Sequence, residues 1–320
     1  MEIGGYLGLE SLTNSPYYPD LVALNLGRTA LTYLLEALKV KTLFVPYFLC
    51  DSVTDKCVQA GIHLSYYHVS ENLNPLLDEL LVDGALPKDT YLLLVNHYGQ
   101  LTDDKISNFK DKYNRIIVDN THSFFQKPLE NVPTFYSCRK FLGVSDGAYL
   151  YSDVALPAVD TRDISKDRMS HILGRFEGNA SEYYNAMLQN AETFADEPVK
   201  TMSLLTSNIL GAIDYDNVRT SRNANYRTLD ASLGAYNTLS FIDPDGPLAY
   251  PFFHPEAMTI RKSLASIGIY VPTYWSNVIE SMDEDSVEYQ YAANILALPV
   301  DQRYGDDEMN AIADAVIALV

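Results

Sequence analysis

The chain has 320 residues, of which 47% are hydrophobic and 20% charged, a composition typical of folded globular proteins and not of disordered ones. Acidic residues outnumber basic ones by 42 to 23, and the net charge of −19 excludes a broad basic surface for nucleic acid or anionic lipid. Three cysteines cannot form a disulfide framework, and no apolar run is long enough to span a bilayer. We therefore expect a cytoplasmic protein without membrane insertion.

Short apolar runs alternate with helix-like segments in the first half of the chain. Helices are predicted at 27–38 and Ser52–Ala60, and the apolar runs predict strands at Leu43–Pro46, His63–His68, Tyr91–Val95, Ile116–Asp119 and Tyr149–Tyr151. This alternation predicts an α/β fold, with a mostly parallel central sheet and helices on both faces. Because ligands of such sheets bind beyond the carboxyl ends of the strands, residues just after Val45, Val95 and Val118 are the first candidates for a site.

The second half of the chain changes character twice. Residues 161–229 are predicted to be helical, most clearly at Ser203–Ala212 and Arg222–Leu233. After a Pro- and Gly-rich turn at 243–247, the pattern predicts a strand, a helix, a second strand and a final helix, at Leu248–Phe252, Pro255–Ile267, Gly268–Pro272 and Asp306–Leu319. We expect a large domain over 1–235, whose N-terminal segment could pack on a smaller α+β domain over 236–320.

Gly27 and Arg28 precede an apolar helix. A glycine at a helix start lets the backbone approach an anion, the free N–H groups of the first turn bind phosphate, and an arginine fork matches phosphate geometry. The alternative interpretation is an ordinary capped helix with an exposed arginine.

Asp119 ends a buried apolar strand, and His122 follows three residues later. A buried acid is costly unless it is paired, so Asp119 could hold a metal, a ribose or a protonated ring nitrogen. It could also simply form an Asx turn that ends the strand. The six histidines show no metal-binding spacing, and we predict no metal site.

Lys140 is followed by apolar residues and by a turn that contains two glycines. A lysine in an enclosed site has a lowered pKa, so its amine can attack a carbonyl group. Most lysines, however, lie in surface loops.

These three candidate sites follow one another along the chain as a phosphate loop at Gly27, an acid at a strand end at Asp119 and a lysine before a turn at Lys140. That order resembles fold-type-I pyridoxal-phosphate (PLP) enzymes, and the details resemble the DegT/DnrJ/StrS family of sugar aminotransferases. The matching segments are Gly27 to Leu31, Val45 to Phe48, His97 to Gly99, Asp119 to His122, Lys140 with Asp146-Gly147, and Leu298 to Val300. The resemblance covers about 24–151 and returns more weakly toward the C-terminus.

The resemblance implies an α/β transferase fold, PLP as cofactor, and transfer of an amino group from glutamate to a nucleotide-linked keto-sugar by a homodimer. It implies that Lys140 binds the cofactor covalently and moves protons, while Asp119 pairs with the ring nitrogen and His122 lies beside the ring. The other expected cofactor contacts are Gly27, Arg28, Thr29, Phe48 and Ser137. His97, Tyr274 and Trp275 are expected on the substrate side.

The chain departs from the family pattern at several positions and is interpreted as a divergent member. Arg28 stands where threonine is usual, Cys50 where an aromatic residue would stack on the ring, and Phe135 where the family has a serine. Phe48, Tyr47 or His97 could replace the stacking residue. These departures leave two alternatives open, a non-catalytic binding or regulatory protein and a PLP enzyme that acts on a small amino acid.

Overall fold

The computed structural model describes residues 5–12, 14–77 and 81–320. Its centre is an eight-stranded sheet in the spatial order β1-β8-β7-β6-β5-β2-β3-β4. Strands β2, β3, β5, β6 and β7 are parallel, whereas β4 and β8 run antiparallel to their neighbours. The strands span Val22–Leu24 (β1), Thr42–Pro46 (β2), His63–Val69 (β3), Pro75–Leu76 (β4), Thr90–Val95 (β5), Ile116–Asp119 (β6), Thr134–Ser137 (β7) and Ala148–Tyr151 (β8). All five strands predicted in this region are therefore confirmed.

Both faces of the sheet are covered, which explains why its strands are continuously apolar instead of alternating with polar residues. Leu92 and Leu94 point to the face packed against α3 (Asp103–Tyr113). Leu93, between them, points to the opposite face and packs with α1 (Gly27–Ala37). The remaining early helix, α2, spans Asp51–Gln59. Helices on both faces are thus confirmed.

The middle of the chain is helical, as predicted, with α4 (Ser170–Glu177), α5 (Tyr184–Glu192), α6 (Leu204–Leu210) and α7 (Tyr215–Leu233). Helix α7 begins earlier than expected because Asp214 caps it, accepting a hydrogen bond from the backbone N–H of Asn217 at 3.0 Å.

The C-terminal part contains a two-stranded antiparallel sheet of β9 (Ala249–Phe253) and β10 (Ile295–Pro299). Helices α8 (Ala257–Ser266), α9 (Ser276–Ser281), α10 (Val287–Asn294) and α11 (Asp306–Ile317) accompany it. The strand predicted at Gly268–Pro272 is wrong. Gly268 has a φ of +86° and Pro272 has no backbone N–H to donate, which disfavours a strand in this segment. Strand β9 pairs instead with β10, a strand that was not predicted from the sequence.

One hydrophobic cluster joins the end of α7 to this C-terminal sheet. Leu229 and Leu233 of α7 pack with Phe252 of β9 and with Ile312 and Val316 of α11. The N-terminal segment instead contacts α6, since the backbone N–H of Leu12 donates to Asn208 Oδ1 at 2.8 Å and Asn208 Nδ2 donates to the Glu10 carbonyl at 2.9 Å. The domain boundary at 235 stays a prediction. Among the described residues, we find no helix that combines the length and apolar character needed to cross a membrane.

Candidate active site

A cleft of about 360 Å³ opens at the carboxyl ends of β5, β6 and β7. This is the edge of the sheet where the sequence analysis placed a ligand site. The cleft is lined by six residues predicted to act in catalysis or cofactor binding, together with Trp275 from the loop before α9. The six are Gly27, Arg28, Asp119, His122, Ser137 and Lys140.

Lys140 closes a 3₁₀ turn, Cys138–Lys140, that directly follows β7. The turn is fastened at its base, where the Cys138 N–H donates to the Gly147 carbonyl at 3.0 Å. Gly147 has a φ of +117°, and a Cβ there would lie only 3.1 Å from Thr206 and 3.2 Å from Cys138. The segment after Lys140 therefore requires glycine to pass this close to α6.

Buried Asp146 anchors the same segment to the N-terminus of α6. Its carboxylate accepts hydrogen bonds from the Ser203 N–H at 2.9 Å, from the Ser203 hydroxyl at 2.8 Å and from the Thr206 hydroxyl. Because the charge is fully buried, these donors are what make its burial tolerable. The turn that carries Lys140 is thus held at both ends.

The side chain of Lys140 is exposed to the open cleft, whose walls shield it partly from bulk water. This desolvation lowers its pKa, and the charges of Arg139 and Arg28 act in the same direction. Cys50 and Asp119 oppose the shift. A lowered pKa gives the lysine a larger fraction of neutral, nucleophilic amine at neutral pH.

Asp119 ends β6 and is buried, with an exposed fraction of 4%. Its Oδ1 accepts a hydrogen bond from the Thr121 N–H at 2.8 Å, the geometry of an Asx turn. Desolvation raises its pKa to about 6, although the Thr121 hydrogen bonds and Lys140 lower it. Such a carboxylate is stabilised by any proton or cation brought next to it.

His122 lies at the base of the cleft, against Trp275 and Tyr274, with ring centroids 5.3 Å away in each case. Desolvation lowers its pKa well below the usual value, and the charge of Lys140 adds to this effect. The imidazole is therefore neutral at physiological pH. Its Nδ1 is buried and has no hydrogen-bond partner among the described residues, an unusual state for a buried polar atom.

The opposite end of the cleft has the character of an anion site. Gly27 begins α1, whose first turn has neither an acidic residue nor a side-chain cap, so its N–H groups are free. Arg28 has no hydrogen bond or ion pair within the described residues, and Arg139 has only a cation–π contact with Phe194, at 4.5 Å. Two guanidinium groups without a hydrogen bond or ion pair among the described residues, next to a helix N-terminus, can together bind an anion.

Arg139 is not among the site residues predicted from the sequence. It directly precedes Lys140 in the turn after β7, and desolvation together with neighbouring Arg28 lowers its pKa to about 10. A second cation beside a candidate lysine at a strand end was the available signal, but nothing in the local pattern says which way its side chain points.

Thr29, Phe48 and His97 do not line the cleft, contrary to expectation. The Thr29 hydroxyl is buried and donates to Asn25 Oδ1 at 2.7 Å, turned back into the start of α1. His97 lies behind the cleft, where its Nε2 donates to the Phe48 carbonyl at 2.7 Å. Burial lowers the pKa of His97 to about 4. All three side chains are buried in the protein behind the wall of the cleft.

A second cavity, of about 350 Å³, adjoins the cleft, and Lys140 and Arg139 line both. Tyr274 contributes to its wall and places its ring centroid 5.0 Å from Lys140 Nζ. Further lining comes from Tyr270, Pro272, Arg222, Asp301, Gln302 and Arg303. Asp301 and Arg303 form a two-point ion pair, with N–O distances of 2.6 and 2.8 Å. Lys140 thus lies between the cleft that contains Arg28 and Arg139 and a cavity with a polar and aromatic wall.

Within the part of the chain that is described, no cluster of three potential metal ligands occurs. The cleft instead combines a nucleophilic amine, a buried carboxylate, a neutral imidazole and an anion site. The amine can form a covalent bond with a carbonyl group of a phosphorylated molecule, while the anion site binds the phosphate of that molecule. The carboxylate can hold a proton at the other end of the bound molecule.

No protein-family model matches the chain, and the curated proteins contain no match. Solved structures do match. A DegT DnrJ EryC1 StrS aminotransferase from Brucella abortus is 13% identical, with a TM-score of 0.63 over 93% of this chain and 85% of that one. The sugar aminotransferase CalS13 from Micromonospora echinospora is 14% identical, with a TM-score of 0.61 over 93% of this chain and 87% of that one.

The structure of ntda from Bacillus subtilis with bound cofactor PMP is 12% identical, with a TM-score of 0.63 over 93% of this chain and 72% of that one. Likeness at such identities establishes the fold. The chain therefore has the α/β fold of the DegT/DnrJ/EryC1/StrS aminotransferase structures, and the predicted fold class is confirmed.

Proposed function

We propose that this chain is a PLP-dependent aminotransferase that moves an amino group from glutamate to a nucleotide-linked keto-sugar in saccharide biosynthesis. One observation carries the proposal: Lys140 and Asp119 face a single cleft that also contains the free N-terminus of α1 and two unpaired arginines. Similar solved structures agree with this proposal, because they include sugar aminotransferases and forms with the cofactors PLP and PMP.

The cleft fits the phosphate end of PLP. Gly27, Arg28, Ser137 and Arg139 would hold the phosphate. A Cβ at Gly27 would meet Phe135 and Ser137 at an ordinary 3.7 Å, so protein packing alone does not require a glycine there. Close approach of a ligand to the backbone would explain it.

The other end of the cleft fits the pyridine ring. Asp119 would hold the proton of the ring nitrogen, which would also stabilise this buried carboxylate. His122, neutral and with Nδ1 free of protein partners, would accept or donate one hydrogen bond beside the ring. Bound in this way, PLP supplies the electron sink that makes a proton on the substrate carbon removable.

Lys140 would bind the cofactor aldehyde covalently and, once displaced by substrate, act as the general base and acid. Its lowered pKa suits both roles, because a neutral amine attacks a carbonyl and an amine with a pKa closer to neutrality exchanges protons efficiently. The turn that carries it is fixed by Asp146 and Gly147, so the amine is presented at a defined position.

The second cavity would receive the acceptor. Its wall combines the ring of Tyr274 with the paired Asp301 and Arg303, a mixture of aromatic and hydrogen-bonding groups that suits a sugar. In this arrangement the carbonyl carbon of the substrate would lie next to Lys140, which is shared by both cavities.

A cytoplasmic homodimer is part of the proposal. Leu173 and Phe176 of α4, and Tyr184 and Leu188 of α5, expose their side chains, and Phe176 is 92% exposed. Ala191 of the same helix α5 lines the cleft, so this surface is close to the proposed site. Three free cysteines suit a reducing compartment.

The test is exchange of the amino group. Protein loaded with PLP is mixed with glutamate and then with a panel of nucleotide-linked keto-sugars and free keto-acids, and formation of 2-oxoglutarate and of the amino-sugar is measured by mass spectrometry. We expect conversion that depends on the nucleotide. Binding of PLP without exchange would support the non-catalytic alternative, and exchange confined to small keto-acids would overturn the sugar assignment.

A further inference from the structure

Trp275, the single tryptophan of the chain, lines the same cleft as Lys140 although it comes from the C-terminal part. It directly precedes α9 and has a left-handed backbone conformation, with φ 57° and ψ 48°. A bulky residue rarely adopts this conformation and keeps it only where the surroundings enforce it. This backbone conformation therefore fixes the position of the Trp275 indole.

The indole is fixed by other rings. Its centroid lies 4.2 Å from that of Phe48, 5.4 Å from that of His97 and 5.3 Å from that of His122. These three residues belong to the first half of the chain, so contacts across the sequence hold Trp275 against the base of the cleft. The side chain is only partly buried, which leaves part of its surface to the cleft.

The other aromatic residues near the cleft offer no comparable surface. Phe135 and His122 line the cleft but are only 1% and 8% exposed. Phe48 and His97 do not line it and are 0% and 2% exposed. Tyr47 is turned away and stacks on Tyr66, with ring centroids 5.1 Å apart. Position 50 carries Cys50, a small side chain that lines the cleft and contacts the Ser52 hydroxyl at 3.1 Å.

We propose that Trp275 supplies the aromatic face against which the pyridine ring of the cofactor binds, in place of a residue at position 50. The inference rests on the proposed function, because it needs a flat ring in the cleft. Indole gives the largest aromatic surface of any side chain, and its face attracts a ring that carries a positive charge, as a protonated pyridine does. Trp275 is thereby assigned to the cofactor and not to the substrate.

The test uses binding alone. Pyridoxine 5′-phosphate has the ring and the phosphate of PLP but no aldehyde, so its affinity reports on the cleft without covalent attachment to Lys140. Its dissociation constant is measured by calorimetry for the unmodified protein, for Trp275→Ala, for Trp275→Phe and for the control Tyr236→Ala, whose side chain is exposed. Inorganic phosphate is measured beside it as a ligand without a ring.

We expect Trp275→Ala to weaken pyridoxine 5′-phosphate binding about ten-fold, Trp275→Phe to retain most of the affinity, and the control to be unchanged. Inorganic phosphate should bind all four proteins equally. Thermal unfolding checks that each variant is folded, and Trp275→Phe keeps the test valid if the alanine variant is not.

Two failures can be told apart. If the unmodified protein binds pyridoxine 5′-phosphate and the folded Trp275 variants bind it equally well, the role of Trp275 is wrong while the proposed function stands. If the unmodified protein binds neither this compound nor PLP, the proposed function itself is overturned, and the assignment of Trp275 with it.

Discussion

Asp119 and Lys140 reach the same cleft from adjacent parallel strands. Asp119 is the last residue of β6 and pairs with Phe135 of β7, and Lys140 closes the turn that follows β7. Desolvation dominates the pKa of both groups, but each also stabilises the charge of the other. A carboxylate and an amine are thus held as partners in a cleft with room for a ligand.

Asp119 should make the stability of the cofactor-free protein depend on pH. Burial raises its pKa from 3.8 to about 6, so the folded protein holds this proton more tightly than the unfolded chain does. The stability that this proton provides is complete below about pH 4 and is lost as the pH rises through about 6. We expect Asp119→Asn to raise the free energy of unfolding at pH 8 by up to about 3 kcal/mol.

Urea denaturation of the cofactor-free proteins at pH 4 and pH 8 measures this effect. The gain from Asp119→Asn should shrink toward zero at the lower pH, because the aspartic acid is then neutral as well. Asp104→Asn, at an exposed position of α3, is the control. A gain that is equal at both pH values would show that the charge of Asp119 is not its cause.

Arg28 and Arg139 should recognise the phosphate group specifically. We expect either substitution by alanine to weaken PLP binding by about ten-fold or more, since a hydrogen bond to a charged group contributes about 1.5–3 kcal/mol. Binding of pyridoxal, which lacks the phosphate, should change little. Calorimetry with both ligands checks this, with exposed Arg227→Ala as the control. An equal loss of affinity for both ligands would contradict the assignment.

Asp146 should act through the fold of the turn and not by touching a ligand. Asp146→Ala leaves the Ser203 N–H and two hydroxyl groups without their acceptor in a buried position, so we expect a loss of about 2–4 kcal/mol in the free energy of unfolding. Urea denaturation measures it, and Asp216→Ala, with a side chain that is 90% exposed, should cost less than about 0.5 kcal/mol. A loss as small as that of the control would refute the anchoring role of Asp146.

Local sequence signals predicted the sheet and much of the cleft. Asp119 and Ser137 end buried strands, Gly27 and Arg28 begin an apolar helix, and Lys140 lies in a turn directly after a strand. Since the carboxyl ends of parallel strands share one edge of a sheet, such residues converge without further information.

Features that depend on contacts across the chain could not be predicted. Trp275 reaches the cleft only because rings from the first half of the chain hold it there. Thr29 and Phe48 lie next to cleft residues in sequence, but a change of one position in a helix or loop turns a side chain away from the ligand. The pairing of β9 with β10 joins segments separated by three helices, and periodicity gives no register over such a distance.

The most direct test of the account is the identity of the residue that binds PLP. The purified protein is incubated with PLP, reduced with borohydride and digested, and the modified peptide is sequenced by mass spectrometry. Lys166→Ala, at an exposed lysine, is the control for Lys140→Ala. We expect one phosphopyridoxyl group, on Lys140, which is lost in Lys140→Ala and retained in the control. A modified lysine elsewhere, or no modified lysine at all, would refute the proposed role of Lys140.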